Sequence, residues 1–165
     1  MPALQDRQRR LIETLRIHGA SVIEKLSALP LDVGARDERE PWGPHELVAH
    51  IASMEWTYPR LIEVAETAGA ASSDRRSGRG FRDGNDQYNA RQLARRRDTP
   101  MDDLVDEFAR NRRTTVEAVA NMDPSLLDAP LTSAGGVTGT LESVLTSVAI
   151  THVDEHLQEL AQPTR

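Results

Sequence analysis

The segment TLESVLTSVAITHVDEHLQEL, residues 140–160, carries the pattern that predicts how this chain folds. Its apolar residues recur every three or four positions, as they do on the buried face of an amphipathic helix. They are Leu141, Val144, Leu145, Val148, Ala149 and Leu160. Thr140 suits the N-cap and Glu142 suits the positive first turn, so we expect a helix from residue 140 to about residue 161.

Two histidines continue this apolar stripe toward the end of the helix. Steps of three and four residues from Leu145 and Val148 lead to His152 and then to His156, so both imidazoles are expected to face the core. A pair with this spacing is a weak sign of a metal site, because zinc and nickel generally need a third protein ligand. Two polar residues on an ordinary helix are the alternative. Asp154 and Glu155 could hydrogen-bond such a ligand or be solvated helix charges.

A third histidine stands on another predicted helix. This helix begins near Pro44, and His50 lies on the same side as Leu47 and Met54. Three imidazoles would then converge from two helices, and buried imidazoles without partners are costly. We therefore predict that His50, His152 and His156 bind a divalent metal and leave one coordination position open for water or substrate.

The other histidines, His18 and His45, belong to no such cluster and are expected on the surface.

The remaining segments complete an all-α prediction. One helix is expected from about residue 4 to 29. The helix of His50 continues to about residue 68, with a kink or a break at Pro59. A third helix follows Pro100, capped by Asp98 or Thr99. No strand is predicted, because residues 129–141 are interrupted by glycine. The four helices indicate a single four-helix-bundle domain over residues 1–165.

A long polar connection separates the second predicted helix from the third. About 30 residues, from 68 to 100, could cross the bundle, which allows an up-down-down-up order of helices. The first half of this connection is rich in Gly, Ser and Arg and is expected to be mobile. The stretch DQYNARQLARRR, residues 86–97, is compatible with a short helix.

Composition excludes several classes of function. The chain has no cysteine, so it can form neither a disulfide nor a thiolate nucleophile. A net charge of −6 argues against a general nucleic-acid binder. The first twenty residues lack an apolar signal core, and no segment has the roughly 18 apolar residues of a membrane helix. We expect a soluble cytoplasmic protein, and the use of arginine in place of lysine suits a GC-rich bacterial genome.

Three stretches together resemble the DinB/YfiT-like superfamily. They are W-x-x-x-E-L-V-A-H-I at residues 42–51, NDQYNARQLARRRDTPMDDLVDEF at 85–108, and GTLESVLTSVAITHVDEHLQEL at 139–160. The superfamily also includes thiol-dependent maleylpyruvate isomerases and the DfsB/ClbS-like protection proteins. The resemblance implies a four-helix bundle with a three-histidine centre at His50, His152 and His156, holding zinc, nickel or another divalent ion. It also implies a homodimer.

The function implied by the resemblance is thiol-dependent transfer or isomerisation of small electrophiles in detoxification or stress response. Because the chain has no cysteine, the thiol would be a diffusible cofactor such as mycothiol. Arg91 and Arg95 could attract the carboxylates of such a cofactor; the alternative is a solvated helix face. Asn89 and Trp42 are candidates for the rim of the site, and Trp56 is expected to pack at the end of the bundle. The sequence identifies no catalytic residue.

The rival hypothesis is a non-enzymatic protein in which the same bundle sequesters a small molecule. A specific isomerase assignment is weakened because thiol-dependent isomerases often carry a further C-terminal domain, which this sequence does not contain.

Overall fold

Helices make up most of the protein. The computed structural model describes residues 3–70 and 81–162, and the all-α class predicted from the sequence is confirmed there. A 3-10 turn, Pro124–Asp128, follows the fifth helix, and a π-helical segment, Ser147–Thr151, joins the last two. None of the described helices combines the length and the apolar character that crossing a bilayer requires. The helices are α1 (Leu4–Ser27), α2 (Pro44–Glu55), α3 (Pro59–Ala70), α4 (Phe81–Arg96), α5 (Met101–Asn121), α6 (Leu141–Thr146) and α7 (His152–Ala161).

The predicted second helix is divided in two at Pro59, as expected for a proline inside a helical pattern. Pro44 occupies the first turn of α2, and the carboxylate of Glu46 accepts hydrogen bonds from the backbone N–H groups of Gly43 at 2.9 Å and Arg36 at 2.6 Å. These bonds satisfy donors at the positive end of α2. The start of the helix that carries His50 is therefore firmly held.

A short hairpin contradicts the expectation that the chain has no strand. Strand β1 (Pro130–Thr132) pairs with strand β2 (Thr138–Thr140) in antiparallel register, with Leu131 opposite Gly139. In the turn, Gly136 has a φ of 85°, a conformation that glycine adopts without steric cost. The side chain of Leu131, on the first strand, is buried. The glycines that argued against a strand therefore form the turn between two strands. Thr140 then caps α6 by accepting from the N–H of Ser143, as predicted.

The beginning of α5 differs from the prediction in its cap. Pro100, and neither Asp98 nor Thr99, occupies the N-cap, and its carbonyl accepts the N–H of Leu104. The helix predicted within residues 86–97 exists but is longer, because α4 already begins at Phe81. The stretch that we expected to be mobile includes residues 71–80, which lie outside the described residues.

Two clusters of apolar side chains form the core, and a buried ion pair lies where they meet. One cluster joins α1, α3, α5 and α6, and the other joins α1, α2, α5 and α7. The ion pair is formed by Glu55 at the end of α2 and Arg112 in α5. Arg112 donates to the carbonyls of Leu15 and Ala149 on the first cluster and lies over the ring of Phe108 on the second.

The direction of the helices follows from contacts between distant residues. Gln8, near the start of α1, donates to carbonyls at the end of α5, so these two helices run in opposite directions. At the start of α2, His45 contacts Thr99 just before α5, and at the end of α2, Glu55 contacts Arg112 further along α5. Helix α2 therefore runs parallel to α5. These contacts support the up-down-down-up order of a four-helix bundle, which stays a prediction.

Gly19 is expected to resist substitution because the side chain of Arg112 passes over it. A Cβ atom at Gly19 would lie 2.8 Å from Cγ of Arg112. Gly-to-Ala substitution at an exposed helix position gains about 1 kcal/mol, but here overpacking should turn this into a loss of about 1–2 kcal/mol. Urea unfolding measures the change, with Ala20→Gly at the neighbouring exposed position as the control for helix propensity. A stabilised Gly19→Ala protein would contradict this packing.

Candidate metal centre

Three imidazoles converge between α2 and α7. Nε2 of His152 lies 3.4 Å from Nε2 of His50 and 3.2 Å from Nε2 of His156. One ligand nitrogen from each of the three residues lies within 4.8 Å of the other two. The expected cluster is therefore present in the structure, while binding of an ion by these residues stays a prediction.

The spacing of the nitrogens suits a tetrahedral ion. With metal–nitrogen bonds of about 2.0–2.1 Å, two ligands of a tetrahedral site lie roughly 3.3–3.4 Å apart. The two Nε2 pairs, at 3.2 and 3.4 Å, are close to this value. The three rings converge through one nitrogen each, and in a neutral imidazole that nitrogen either donates or accepts, so at least one of the three pairs brings two like nitrogens together. A shared cation would use the lone pairs that face each other.

Burial keeps these lone pairs available. His50 is 5% exposed, and its pKa falls to about 3, first because burial disfavours the imidazolium and then because His156 and His152 repel a second positive charge. Burial and the neighbouring His156 also lower the pKa of His152. Within the described residues, Nδ1 of His50 is a buried nitrogen with no hydrogen-bond partner. His50 and His152 are therefore neutral nitrogen donors, the form that binds metal.

Carboxylates on α7 stand behind two of the three rings. Nδ1 of His156 lies 3.1 Å from Glu159, and Nδ1 of His152 lies 3.7 Å from Glu155. A carboxylate that accepts the Nδ1 proton of a histidine leaves the Nε2 lone pair directed at the metal. Glu159 lies within hydrogen-bond distance and can orient His156 in this way, whereas Glu155 lies beyond that distance from His152 and Asp154 turns to α1.

The expectation that His18 lies on the surface is wrong. Its side chain is 13% exposed and lies between Arg112 of α5 and Asp154 of α7. Since a guanidinium only donates, Nδ1 of His18 accepts from Arg112 at 3.1 Å, and Nε2 then donates to Asp154 at 3.0 Å. His18 thus links the ion pair to the helix of His152 and His156. One signal was available: His18 continues the series Leu11 and Leu15 at helical spacing and is followed by Val22, so it falls on the apolar stripe of α1.

His45 also lies inside, contrary to expectation. It is 3% exposed, and its Nε2 contacts the carbonyl oxygen of Thr99 at 2.8 Å. This bond ties the start of α2 to the start of α5. His45 lies on α2 with His50 but belongs to a separate contact.

The ion pair of Glu55 and Arg112 was missed by the sequence analysis. The guanidinium binds the carboxylate with two bonds, of 2.7 and 2.9 Å, and both residues are almost completely buried. One signal was available: Arg112 follows Phe108 by four residues and so falls on the apolar face of α5. Charged residues on such a face are rarely buried without a partner.

A cavity of about 680 Å³ lies between α4 and the segment before α2; His45 is among its lining residues, whereas His50, His152 and His156 are not. Trp42 lines it, and the Trp42 ring centroid is 5.0 Å from that of His50. Asn89 and Arg91 also line the cavity, whereas Arg95 is not among its lining residues. Trp56 is 67% exposed, so the expectation that it packs in the bundle is wrong. The volume of the cavity that Trp42 lines is within the range of small-molecule sites, about 300–1,000 Å³.

The sequence is similar to one known protein family. A sequence profile of the DinB superfamily matches residues 3–160, which includes all three histidines. No curated protein and no solved structure shows significant similarity to the chain.

Acid should destabilise the metal-free protein largely through His50. Its folded-state pKa of about 3 lies below the ordinary value of 6.5, so below pH 6.5 the unfolded chain takes up a proton that the folded chain does not. The contribution of His50 to the free energy of unfolding is therefore complete above pH 6.5. Below pH 6.5 this contribution falls by up to about 1.4 kcal/mol per pH unit. Urea unfolding at pH 7.5 and 5.5 measures the loss. Between these two pH values the free energy of unfolding of His50→Gln should fall by about 1 kcal/mol less than that of the wild type. Equal falls in the two proteins would refute the assignment to His50.

Proposed function

We propose that this chain, which belongs to the DinB superfamily, binds a divalent metal ion through His50, His152 and His156. We propose further that it uses the ion for thiol-dependent transfer to small electrophiles, or for their isomerisation. Zinc or nickel is the expected ion, because both accept imidazole nitrogen. The bundle that holds this site would have the up-down-down-up order, with α2 and α7 as neighbours.

The observation that carries the proposal is the convergence of three Nε2 atoms. That of His152 lies 3.2 Å from that of His156 and 3.4 Å from that of His50. All of these atoms belong to side chains on helices α2 and α7, and burial lowers the pKa of His50 and His152. Three protein ligands on a tetrahedral ion leave one position for water or substrate, which is the arrangement of catalytic zinc sites.

The chemistry at this site divides between the ion and the chain. A divalent ion supplies Lewis acidity, which lowers the pKa of a water or a thiol that it binds. The chain has no cysteine, so a thiol must come from a co-substrate. Trp42 forms a wall of the cavity next to His50, and the lining carries three arginines, Arg36, Arg91 and Arg97, among five carboxylates, Asp37, Glu38, Glu40, Glu46 and Asp86. Within this mixed lining, Arg91 would bind a carboxylate of the thiol co-substrate and Trp42 its apolar part.

Metal analysis of the tag-free protein tests the site. Wild-type protein should contain, or take up, about one zinc or nickel ion per chain, and His152→Ala and His156→Ala should lose it because two nitrogens cannot close the site. Elemental analysis by plasma mass spectrometry measures the content. His45→Gln is the matched control, since it also removes a buried histidine of the same bundle. An absence of bound metal in the wild type after titration with either ion would refute the proposal.

The cavity arginine provides a test of thiol use. With metal-loaded protein and a model electrophile, Arg91→Gln should raise KM for a carboxylate-bearing thiol such as glutathione or bacillithiol several-fold and leave kcat nearly unchanged, because it removes binding but no reacting group. Arg95→Gln, on the same helix but not in the cavity lining, is the control. Steady-state rates measure both, and mycothiol should be assayed in parallel.

Two other results would redirect the proposal. Metal-loaded wild type that binds small electrophiles without turnover would favour the non-enzymatic protection role over transfer. Turnover without any thiol would favour a hydrolase. The homodimer expected from the resemblance stays a prediction, and light scattering on the purified chain measures it.

A further inference from the structure

Two buried side chains donate to consecutive carbonyls of the π-helical segment Ser147–Thr151. The hydroxyl of Tyr58 donates to the carbonyl oxygen of Val148 at 2.8 Å, and Nη2 of Arg112 donates to that of Ala149 at 2.7 Å. Tyr58 is 2% exposed and Arg112 is 3% exposed. A π turn interrupts the i to i+4 ladder of an α-helix, so its carbonyls can accept from side chains. The two donors meet the helix at this interruption.

The π-helical segment changes the direction in which every later side chain points. Leu145 and Leu157 are twelve positions apart, which at about 100° per residue would place them about 120° apart on an uninterrupted helix. Both are nevertheless buried, at 0% and 9% exposure. One extra residue accommodated in the wide turn reduces the difference to about 20°. The segment therefore acts as a one-residue insertion that rotates α7 by about 100°.

This rotation decides where the histidines lie. It places Val153 and Leu157 in the core, at 1% and 9% exposure. His152 and His156 are then displaced to the side of that stripe, where α7 meets α2 and His50. The sequence had placed both histidines within the apolar stripe itself, and the 39% exposure of the His152 side chain reflects the difference.

We propose that Tyr58 and Arg112 are positioning residues for the metal centre: they hold the π-helical segment, which sets the rotation of α7 that brings His152 and His156 to His50. This inference rests on the proposed metal-binding function. Neither residue hydrogen-bonds His50, His152 or His156.

The two donors are well suited to holding a fixed geometry. Burial raises the pKa of the Tyr58 hydroxyl far above its ordinary value, so the phenol stays protonated and can donate. The charge of Arg112 is matched by Glu55, and its remaining N–H groups are free to reach the carbonyls of Leu15 and Ala149. Glu55 is the last residue of α2, and Tyr58 follows it by three residues. The segment is thus anchored to the end of the helix that carries His50.

The test measures metal affinity in variants that remove the anchors. Tyr58→Phe keeps the ring and deletes the one hydrogen bond to Val148, and the double change Glu55→Leu with Arg112→Met removes the ion pair without leaving an unpaired buried charge. Tyr88→Phe, which removes the hydroxyl of a half-buried tyrosine on α4, is the matched control. Each protein is titrated with cobalt(II), whose visible spectrum reports coordination, and with zinc in competition with a chelator.

We expect Tyr58→Phe to weaken metal binding roughly tenfold, the equivalent of one lost hydrogen bond, and the double change to weaken it at least as much. Both should alter the cobalt spectrum, while Tyr88→Phe leaves affinity and spectrum unchanged. A purely structural hydrogen bond would destabilise the metal-free and metal-loaded protein equally and leave the affinity unaltered. Wild-type affinity and spectrum in Tyr58→Phe would therefore overturn the positioning role. A wild type that binds no metal would instead overturn the proposed function.

A deletion tests the rotation itself. Removing the exposed Thr151 should convert residues 141–161 into one continuous α-helix in which His152, His156, Val153 and Leu157 keep their directions. We expect this variant to bind cobalt within about tenfold of wild type, and Tyr58→Phe to have little further effect in it. Loss of cobalt binding by a deletion variant that remains folded by circular dichroism would contradict the inference.

Discussion

The ion pair between Arg112 and Glu55 is the interaction on which the rest of this structure depends. It lies at the junction of the two apolar clusters, where Arg112 is 3% exposed and Glu55 is 0% exposed. Its two hydrogen bonds, of 2.7 and 2.9 Å, hold α2 against α5. Removing one partner of such a pair typically costs about 3–5 kcal/mol, because the other charge is left buried and unpaired. The guanidinium also contacts α1 and the π-helical segment. One side chain thereby fixes four parts of the fold relative to one another.

The histidine cluster requires such a fixed frame. Its three imidazoles come from α2 and α7, which are about a hundred residues apart in sequence, and Nε2 atoms at 3.2 and 3.4 Å tolerate little relative movement of the two helices. The neutral state of His50 has the same origin, since packing between helices removes water and lowers its pKa to about 3. Packing thus provides both the geometry and the protonation state that a metal ligand needs. The charged network lies behind the site and contributes position, while the imidazoles contribute the donor atoms.

Much of this could be predicted from the sequence, because it depends on neighbours along the chain. Apolar residues at helical spacing indicated the helices, Pro59 indicated the division of the second one, and Thr140 indicated a cap. The three histidines were selected by the same local rule. The hairpin at Pro130–Thr132 and Thr138–Thr140 was missed because its glycines were taken as breaking a strand, although one of them makes the turn. His18 and His45 were misplaced because their partners, Asp154 and Thr99, belong to other elements.

The sequence by itself determined which segments are helical, that the chain supplies no thiol, and which three imidazoles fall on facing helices. Only the tertiary structure decided how α7 is rotated about its own axis, and so which of its side chains face the core. A π turn has no reliable local signature, since its cost is met by donors from elsewhere, here the Tyr58 hydroxyl and the Arg112 guanidinium. The burial of the Arg112–Glu55 pair was likewise decided by packing, because a charge can leave water only where a distant segment brings its partner. Local periodicity chose the residues of the site, and long-range contacts set the directions in which they point.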